Sequence, residues 1–100
     1  MNKPYKFEAK LWLYPGDKAS WHFITVPKEL ALVVKKKYGA LAKGFGSLPV
    51  NVAIGKSKWK TSIFPDSRAG TYFLLIKAKI RKQEDLYVDD VASVSFTIST

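Results

Sequence analysis

The chain has 100 residues, of which 47% are hydrophobic, and its 17 Lys and Arg against 8 Asp and Glu give a net charge of +9. This size and apolar content predict one folded domain over residues 1–100 and exclude a disordered chain. The chain has no cysteine, which excludes disulfide and thiolate chemistry. No apolar run approaches the about 20 residues of a membrane-spanning helix, and the N-terminus lacks the apolar core of a signal peptide. We therefore expect a cytoplasmic protein without a membrane partner.

The first quarter of the chain predicts two strands. Apolar and polar residues alternate over residues 5–14, which is the pattern of a half-buried strand. Turn-forming residues occupy 15–20. Residues 21–26 predict a second strand that returns antiparallel to the first. Because this strand is apolar on both faces, we expect it to be covered on both sides.

One clear helix follows. Pro27 suits the first helical position, where its missing N–H is no loss, and it predicts a helix over residues 28–38. Gly39 is placed to cap the C-terminus, next to a cationic last turn that complements the helix dipole. The buried stripe is expected to consist of Leu30, Val33 and Val34.

The second half of the chain predicts four more strands and a short helical segment. Alternating apolar residues and intervening turns place the strands at residues 50–54, 58–64, 71–76 and 91–100. Residues 77–84 are expected to form the short helix or helical turn. Six short strands with one longer helix favour a mainly β, mostly antiparallel barrel or sandwich with a helical cover.

Lys56, Lys58 and Lys60 are the most suggestive cations. If Lys56 is already extended, period two places all three ammonium groups on one outward face, and Trp59 and Thr61 point into the core. Three spaced lysines suit a phosphate backbone or another anion, and they also suit the protection of an edge strand against aggregation. We expect Trp59 to be a core residue and not a stacking platform.

Arg81 and His22 are the other candidates for chemistry. Arg81 is expected to pair with Asp89, Asp90 or a loop carbonyl, and an anion site at the mouth of the barrel is the alternative. His22 is the only histidine and lies mid-strand, where we expect a structural role and not that of a general base. The sequence has no set of metal ligands and no phosphate-binding glycine motif, so we predict no metal, no cofactor and no catalytic residue.

Five groups of residues occur in an order and spacing that resemble the bacterial family catalogued as domain of unknown function 1905 (DUF1905). The resemblance covers nearly the whole chain and is densest between residues 46 and 96. The groups are Gly46-Ser47-Leu48-Pro49-Val50, Trp59-x-Thr61-Ser62-Ile63-Phe64-Pro65, Gly70-x-Tyr72-x-Leu74, the cations Lys77, Arg81 and Lys82, and Asp90-x-Ala92-x-Val94.

The resemblance implies a small closed barrel of the double-split type, here with six strands, related in shape to barrels of swapped-hairpin DNA-binding regulators. Asp89 stands where the family usually has Gly, and Asp tolerates the positive φ that such a turn needs. Leu75-Ile76 replaces a common Leu-Pro and makes the strand more regular. Asp90 is expected to bond backbone amides of its own turn. The structural positions that the resemblance implies are Trp59, Thr61, Phe64, Pro65 and Asp90.

These observations predict a non-enzymatic binding module whose ligand, a small molecule or a peptide, lies at the barrel mouth. The alternative is a nucleic-acid-binding module that uses Lys56, Lys58 and Lys60, with Arg81 as a further anion contact. Its affinity is expected to be weak, salt-sensitive and indifferent to sequence, because lysines are point charges that do not read bases. An enzyme is disfavoured, and a buried His22 with a shifted pKa is the feature that favours it.

Overall fold

One antiparallel sheet of seven strands dominates the computed structural model, which describes residues 3–15 and 20–99. Most of the predicted turn over residues 15–20 lies outside the described residues. Neither of the two described α-helices is long and apolar enough to cross a bilayer. The strands are β1 Tyr5–Lys10, β2 Trp12–Pro15, β3 Ser20–Thr25, β4 Leu48–Ile54, β5 Ser57–Asp66, β6 Thr71–Leu75 and β7 Val91–Ile98; the α-helices are α1 Lys28–Tyr38 and α2 Ala78–Glu84, and two 3₁₀ turns span Gly39–Leu41 and Gly44–Gly46.

The sheet has the strand order β1-β7-β4-β5-β6-β3-β2 and forms an open half-barrel. The prediction of a mainly β, antiparallel fold with helices is therefore confirmed. The prediction of a closed six-stranded barrel is not matched in strand number or in closure. The strand expected over residues 5–14 is interrupted at Leu11, and its two halves pair with different neighbours.

Leu11 lies between the strands at the two edges of the sheet. Its N–H donates to the Asp90 carbonyl at 2.9 Å, and its carbonyl accepts the Asp89 N–H at 2.8 Å. Before Leu11, β1 pairs with β7, and after it, β2 pairs with β3. The Leu11 side chain is 0% exposed and belongs to the hydrophobic core. One continuous segment of chain therefore contributes both edge strands.

Helix α1 packs on the core with a stripe that matches the predicted one only in part. Its buried residues are Ala31, Val34 and Tyr38, whereas Val33 is exposed. Of the predicted residues, Val34 is buried and Leu30 is half-buried against the core. Ala31 and Tyr38 were not expected, because a small Ala and a polar-tipped Tyr are weaker hydrophobic markers than Val33. Gly39 is the C-cap residue, as predicted, and its φ of −55° and ψ of −33° lead the chain into a 3₁₀ turn.

The turn before β7 and the end of β6 take the forms that the sequence predicts. Asp90 Oδ2 accepts the Tyr87 N–H at 2.9 Å, which is the expected bond to the backbone of its own turn. Asp89 has φ +74°, the left-handed conformation that Asp tolerates better than most residues. Ile76 donates its N–H to the His22 carbonyl at 2.8 Å, a bond that proline at this position could not make.

Alternation along β5 separates the two faces of the sheet. Trp59, Thr61 and Ile63 point inward, where they pair with buried residues of β4. Lys58 and Lys60 point outward and are exposed. Trp59 packs against the core but is only half-buried. The prediction that it lies on the core side is therefore confirmed, and its burial is partial.

A polar contact connects helix α2 with the β4–β5 hairpin. Ser57 Oγ lies 2.6 Å from Glu84 Oε2 and 3.0 Å from Gln83 Oε1. Gly55, in the hairpin turn, has φ +56°, and a Cβ at this position would lie 1.9 Å from Glu84 Oε1. The lack of a side chain at Gly55 is what allows the carboxylate to approach the turn so closely.

Candidate ligand-binding surface

The outer face of four neighbouring strands carries a continuous set of aromatic and aliphatic side chains. Strands β2, β3, β6 and β5 are adjacent in the sheet, and together they line an open groove of about 770 Å³. We call this surface the aromatic groove. Its apolar members are Trp12, Tyr14, Trp21, Phe23, Phe64, Phe73 and Leu75.

The register of the strands explains why these residues lie together. Side chains alternate between the faces of a strand, and directly paired residues of neighbouring strands share a face. The groove residues occupy such paired positions across each of the three strand junctions. The pairs are Trp12 with Phe23, Tyr14 with Trp21, Phe23 with Leu75, and Phe64 with Phe73.

A row of ring contacts runs across the floor of the groove. The ring centroids are 5.1 Å apart for Trp12 and Phe23, 4.8 Å for Phe23 and Phe73, and 5.8 Å for Phe64 and Phe73. Trp12 Nε1 also donates a hydrogen bond to Thr25 Oγ1 at 2.8 Å, which fixes the indole. Each of these four rings is held by a neighbouring ring, so the groove has a preorganised aromatic floor.

Several of these rings are open to solvent. Tyr14 is 58% exposed, Trp21 47% and Phe64 39%. Single exposed apolar side chains are ordinary on a protein surface, whereas a contiguous aromatic patch is a candidate site of interaction. The outer face of β3 was expected to be covered, and the structure leaves it open, which corrects that prediction.

Asp66, the last residue of β5, and Arg68, in the turn that follows, lie at one end of the groove. Asp66 Oδ1 accepts the backbone N–H groups of Arg68 at 3.1 Å and Ala69 at 3.3 Å. This carboxylate oxygen is therefore occupied in shaping the turn. The exposed Arg68 guanidinium remains as a cation beside the aromatic rings.

The predicted lysine contacts divide into two groups. Lys58 and Lys60 point outward from β5, as expected, and we call them the lysine row. Lys56 lies in the hairpin turn and is not extended, so the predicted three-residue face is reduced to two. Strand β5 lies between β4 and β6, inside the sheet. The lysine row therefore does not protect an edge strand, which leaves contact with a phosphate backbone or another anion as the remaining explanation for it.

The lysine row and the aromatic groove share one face of one strand. Lys58, Lys60, Ser62 and Phe64 occupy alternate positions of β5, so all four point outward. With a rise of about 3.3 Å per residue, the Cα atoms of Lys60 and Phe64 are about 13 Å apart. The outer face of the sheet thus passes directly from a cationic to an aromatic segment.

Arg81 reaches a loop carbonyl, which was one of its predicted partners. Its Nε donates to the Ile76 carbonyl at 3.2 Å, and its Nη1 lies 3.4 Å from His22 Nε2. Arginine can only donate, so Nε2 of a neutral imidazole is the acceptor and the ring proton lies on Nδ1. His22 Nδ1 is buried and makes no hydrogen bond of good geometry among the described residues, although the backbone of Ser20 acts on the imidazole and partly opposes the lowering of its pKa.

The environment of His22 favours a structural role. Burial, and next the positive charge of Arg81, lower the pKa of His22 below its usual 6.5. A half-buried histidine with a lowered pKa is the feature that favours an enzyme. A general base, however, must also have the proton donor of its substrate within reach of its free nitrogen. Here Nε2 faces a guanidinium and Nδ1 is enclosed. Within the described residues, no group of three His, Cys, Asp or Glu side chains could hold a metal ion.

We expect His22 to make the protein less stable as the pH falls from about 7.5 to about 5.5. The native state lowers the pKa of this imidazole, so the unfolded chain takes up the proton first. The stabilisation is complete above the unfolded pKa, near 6.5, and is lost as the pH falls towards the lower native value. Urea midpoints measured across this range test the expectation. His22→Gln should flatten the profile, because the chain has no other histidine, and an equal slope in both proteins would contradict the assignment.

Comparison with known proteins identifies the family. The chain matches the family described as Domain of unknown function (DUF1905) over residues 7–96. It belongs to DUF1905. The match includes every aromatic residue of the groove and both lysines of the row, and it confirms the resemblance inferred from the motifs. A search of curated proteins found no match to the chain.

In this DUF1905 chain the residues with predicted structural roles lie on both faces of the sheet. Thr61 is half-buried on the inner face and pairs with Val50. Pro65 pairs with Tyr72 near the end of β5. Phe64, in contrast, points outward and lines the aromatic groove. A role in ligand contact is therefore open to Phe64, and this role was not part of the sequence-based interpretation.

Most of the groove was missed by the sequence analysis, although the sequence carries a signal for it. Trp12 and Tyr14 stand on the polar face of the first predicted strand, and Trp21 and Phe23 make the second strand apolar on both faces. An apolar face was interpreted as covered, because burial is the commoner state of large aromatic residues. The signal becomes specific only when the strand order shows that the four aromatic segments are neighbours.

Proposed function

We propose that this DUF1905 protein is a non-enzymatic binding module that holds a flat, aromatic, negatively charged ligand in the aromatic groove. The observation that carries the proposal is the exposed row of rings across β2, β3, β6 and β5. Its volume of about 770 Å³ falls within the about 300–1,000 Å³ of ordinary ligand sites. This location replaces the barrel mouth at which the sequence analysis placed the ligand.

The charge of the ligand follows from the cations around the groove. Arg68 lines one end, and the lysine row lies further along the outer face of β5. The chain as a whole carries +9, and such a field raises the local concentration of anions. Rings supply stacking area, and the cations supply orientation and the preference for negative charge.

Tryptophan fluorescence tests the proposal with anilinonaphthalene sulfonate, an aromatic anion, as the probe. Of the three tryptophans in the chain, Trp12 and Trp21 line the groove and Trp59 does not. In a Trp59→Phe background the remaining emission reports on the groove alone. We expect the probe to quench this emission through energy transfer while the near-ultraviolet circular dichroism of the folded protein is retained.

Matched variants locate the binding. Trp21→Phe keeps an aromatic ring at its position in the groove. Phe64→Ala, in contrast, removes an exposed ring, and we expect it to weaken probe binding about two- to tenfold. Leu32→Ala is the control, because Leu32 is an exposed apolar residue of α1 outside the groove. Equal weakening by Leu32→Ala and Phe64→Ala would reject the groove as the site, and so would the absence of quenching.

A further inference from the structure

We infer that the ligand of the aromatic groove is single-stranded nucleic acid, with bases stacked on the exposed rings and phosphates on the lysine row. This inference rests on the proposed function and names the ligand class for the same site. It differs from non-specific binding by lysines alone, because the bases also contact the protein, by stacking on the exposed rings. The carrying observation is the shared outer face of Lys58, Lys60 and Phe64.

The shared outer face is long enough for several nucleotides. From Lys58 to Phe64 the face extends about 20 Å along β5, at about 3.3 Å per residue. From Phe64 it continues across three strand junctions, each about 4.8 Å wide, through Phe73 and Phe23 to Trp12. A surface of this extent accommodates several nucleotides, as single-strand-binding domains do with sites of about 4–16 nucleotides.

The exposed rings favour unpaired bases over the paired bases of a duplex. Tyr14, Trp21 and Phe64 have between 39% and 58% of their surface exposed, so their faces are free to stack. Bases within a duplex are already stacked on one another and offer a side chain only their edges. Single-stranded bases can turn outward onto aromatic rings on a sheet surface. The groove therefore adds binding free energy for a single strand and not for a duplex.

The charge of the chain favours a polyanion over a second copy of this chain as the occupant of the aromatic groove. An exposed aromatic surface could also be covered by another protein molecule. Each copy carries +9, and two such copies repel one another. The same charge attracts a phosphate backbone. Only two of the 17 cations are Arg, so we expect tolerance of base sequence and not direct reading of base edges.

The test compares single and double strands by fluorescence anisotropy. Labelled oligonucleotides of about 15 nucleotides, oligo(dT), oligo(rU) and a mixed-sequence duplex, are titrated with the full chain at several salt concentrations between about 50 and 200 mM. We expect both single strands to bind more tightly than the duplex. Preference for oligo(rU) identifies RNA and preference for oligo(dT) identifies DNA, and either supports the inference.

Two sets of variants separate the phosphate contact from the base contact. Lys58→Gln/Lys60→Gln should reduce the log–log salt slope by about 1.4, at about 0.7 per single-strand phosphate. Phe64→Ala or Trp21→Ala should weaken binding about five- to 150-fold and leave that slope unchanged, because stacking releases no counterions. Lys36→Gln/Lys37→Gln, in the exposed last turn of α1, is the matched charge control. Far-ultraviolet circular dichroism confirms that each variant is folded.

The outcomes distinguish this inference from the proposed function. Quenching by the aromatic anion without oligonucleotide binding would reject nucleic acid and leave the binding module in place. Loss of both would reject both. Equal affinity for duplex and single strand, with no effect of the ring variants, would reject the stacking contact. A dimer in sedimentation velocity that Trp21→Ala dissociates would identify a second copy as the occupant and overturn the inference.

Discussion

Replacing Leu11 by alanine is expected to lower the free energy of unfolding by about 3 kcal/mol, within the range of buried Leu→Ala substitutions. Its side chain is completely buried, so the substitution leaves a cavity in the core. Its backbone bonds with Asp89 and Asp90 also depend on the position of this residue between β1 and β2. For a domain stabilised by about 5–15 kcal/mol, this is a large part of the total.

Urea denaturation measures the effect. With a slope of about 1.5 kcal/mol per molar urea, the midpoint should fall by about 2 M. Leu13→Ala is the matched control, because Leu13 lies two residues further along the same segment and is exposed. Its substitution should change stability by no more than about 0.5 kcal/mol. Similar losses for the two variants would show that Leu11 has no special role.

Gly55→Ala is expected to destabilise the protein by about 2–3 kcal/mol for two separate reasons. A residue with a Cβ is strained at φ +56°. The new methyl group would also lie 1.9 Å from Glu84 Oε1, so the carboxylate must move and its contact with Ser57, 2.6 Å in the native structure, is lost.

A double-mutant cycle separates the two contributions. Gly70→Ala is the control for strain alone, because Gly70 has φ +67° and open space where a Cβ would lie. In a Glu84→Ala background, Gly55→Ala should lose only as much stability as Gly70→Ala does, since the obstructing carboxylate is gone. If Gly55→Ala and Gly70→Ala cost the same in the otherwise native protein, the contact with Glu84 contributes nothing.

Local pattern was sufficient for most of the secondary structure. Strict alternation predicted β7, and the acidic turn before it predicted the backbone bond of Asp90, whereas the positive φ of Asp89 was implied by the resemblance to the family. Pro27 marked the start of α1. These features depend on interactions within a few residues, which a single sequence displays directly.

Features that depend on distant parts of the chain were predicted less well. The interruption at Leu11 has no Gly or Pro to mark it, because it arises from the pairing of β1 with β7 and of β2 with β3. The same applies to the lysine row: Lys58 and Lys60 were placed on the correct face, but only the strand order shows that β5 is interior. Lys56 was expected in an extended segment and lies in the turn.

The candidate site was only partly foreseen for the same reason. Sequence periodicity shows which residues of a strand share a face, but it does not show whether anything covers that face. The aromatic residues of 12–14, 21–23, 64 and 73 come from four strands, and none of these strands has an unusual pattern alone. That they form one surface is a property of strand order.

The position of β1 and β2 at opposite edges of the sheet has a consequence for the kinetics of folding. The hairpins β4–β5 and β5–β6 join segments that are close in the chain, and they can form early. The pairing of Tyr5 with Phe96 closes a loop of almost the entire described chain, and contacts of such high sequence separation slow folding. During synthesis β1 has no partner until β7 has left the ribosome. We therefore expect the central hairpins to be protected from hydrogen exchange first and the β1–β7 ladder last.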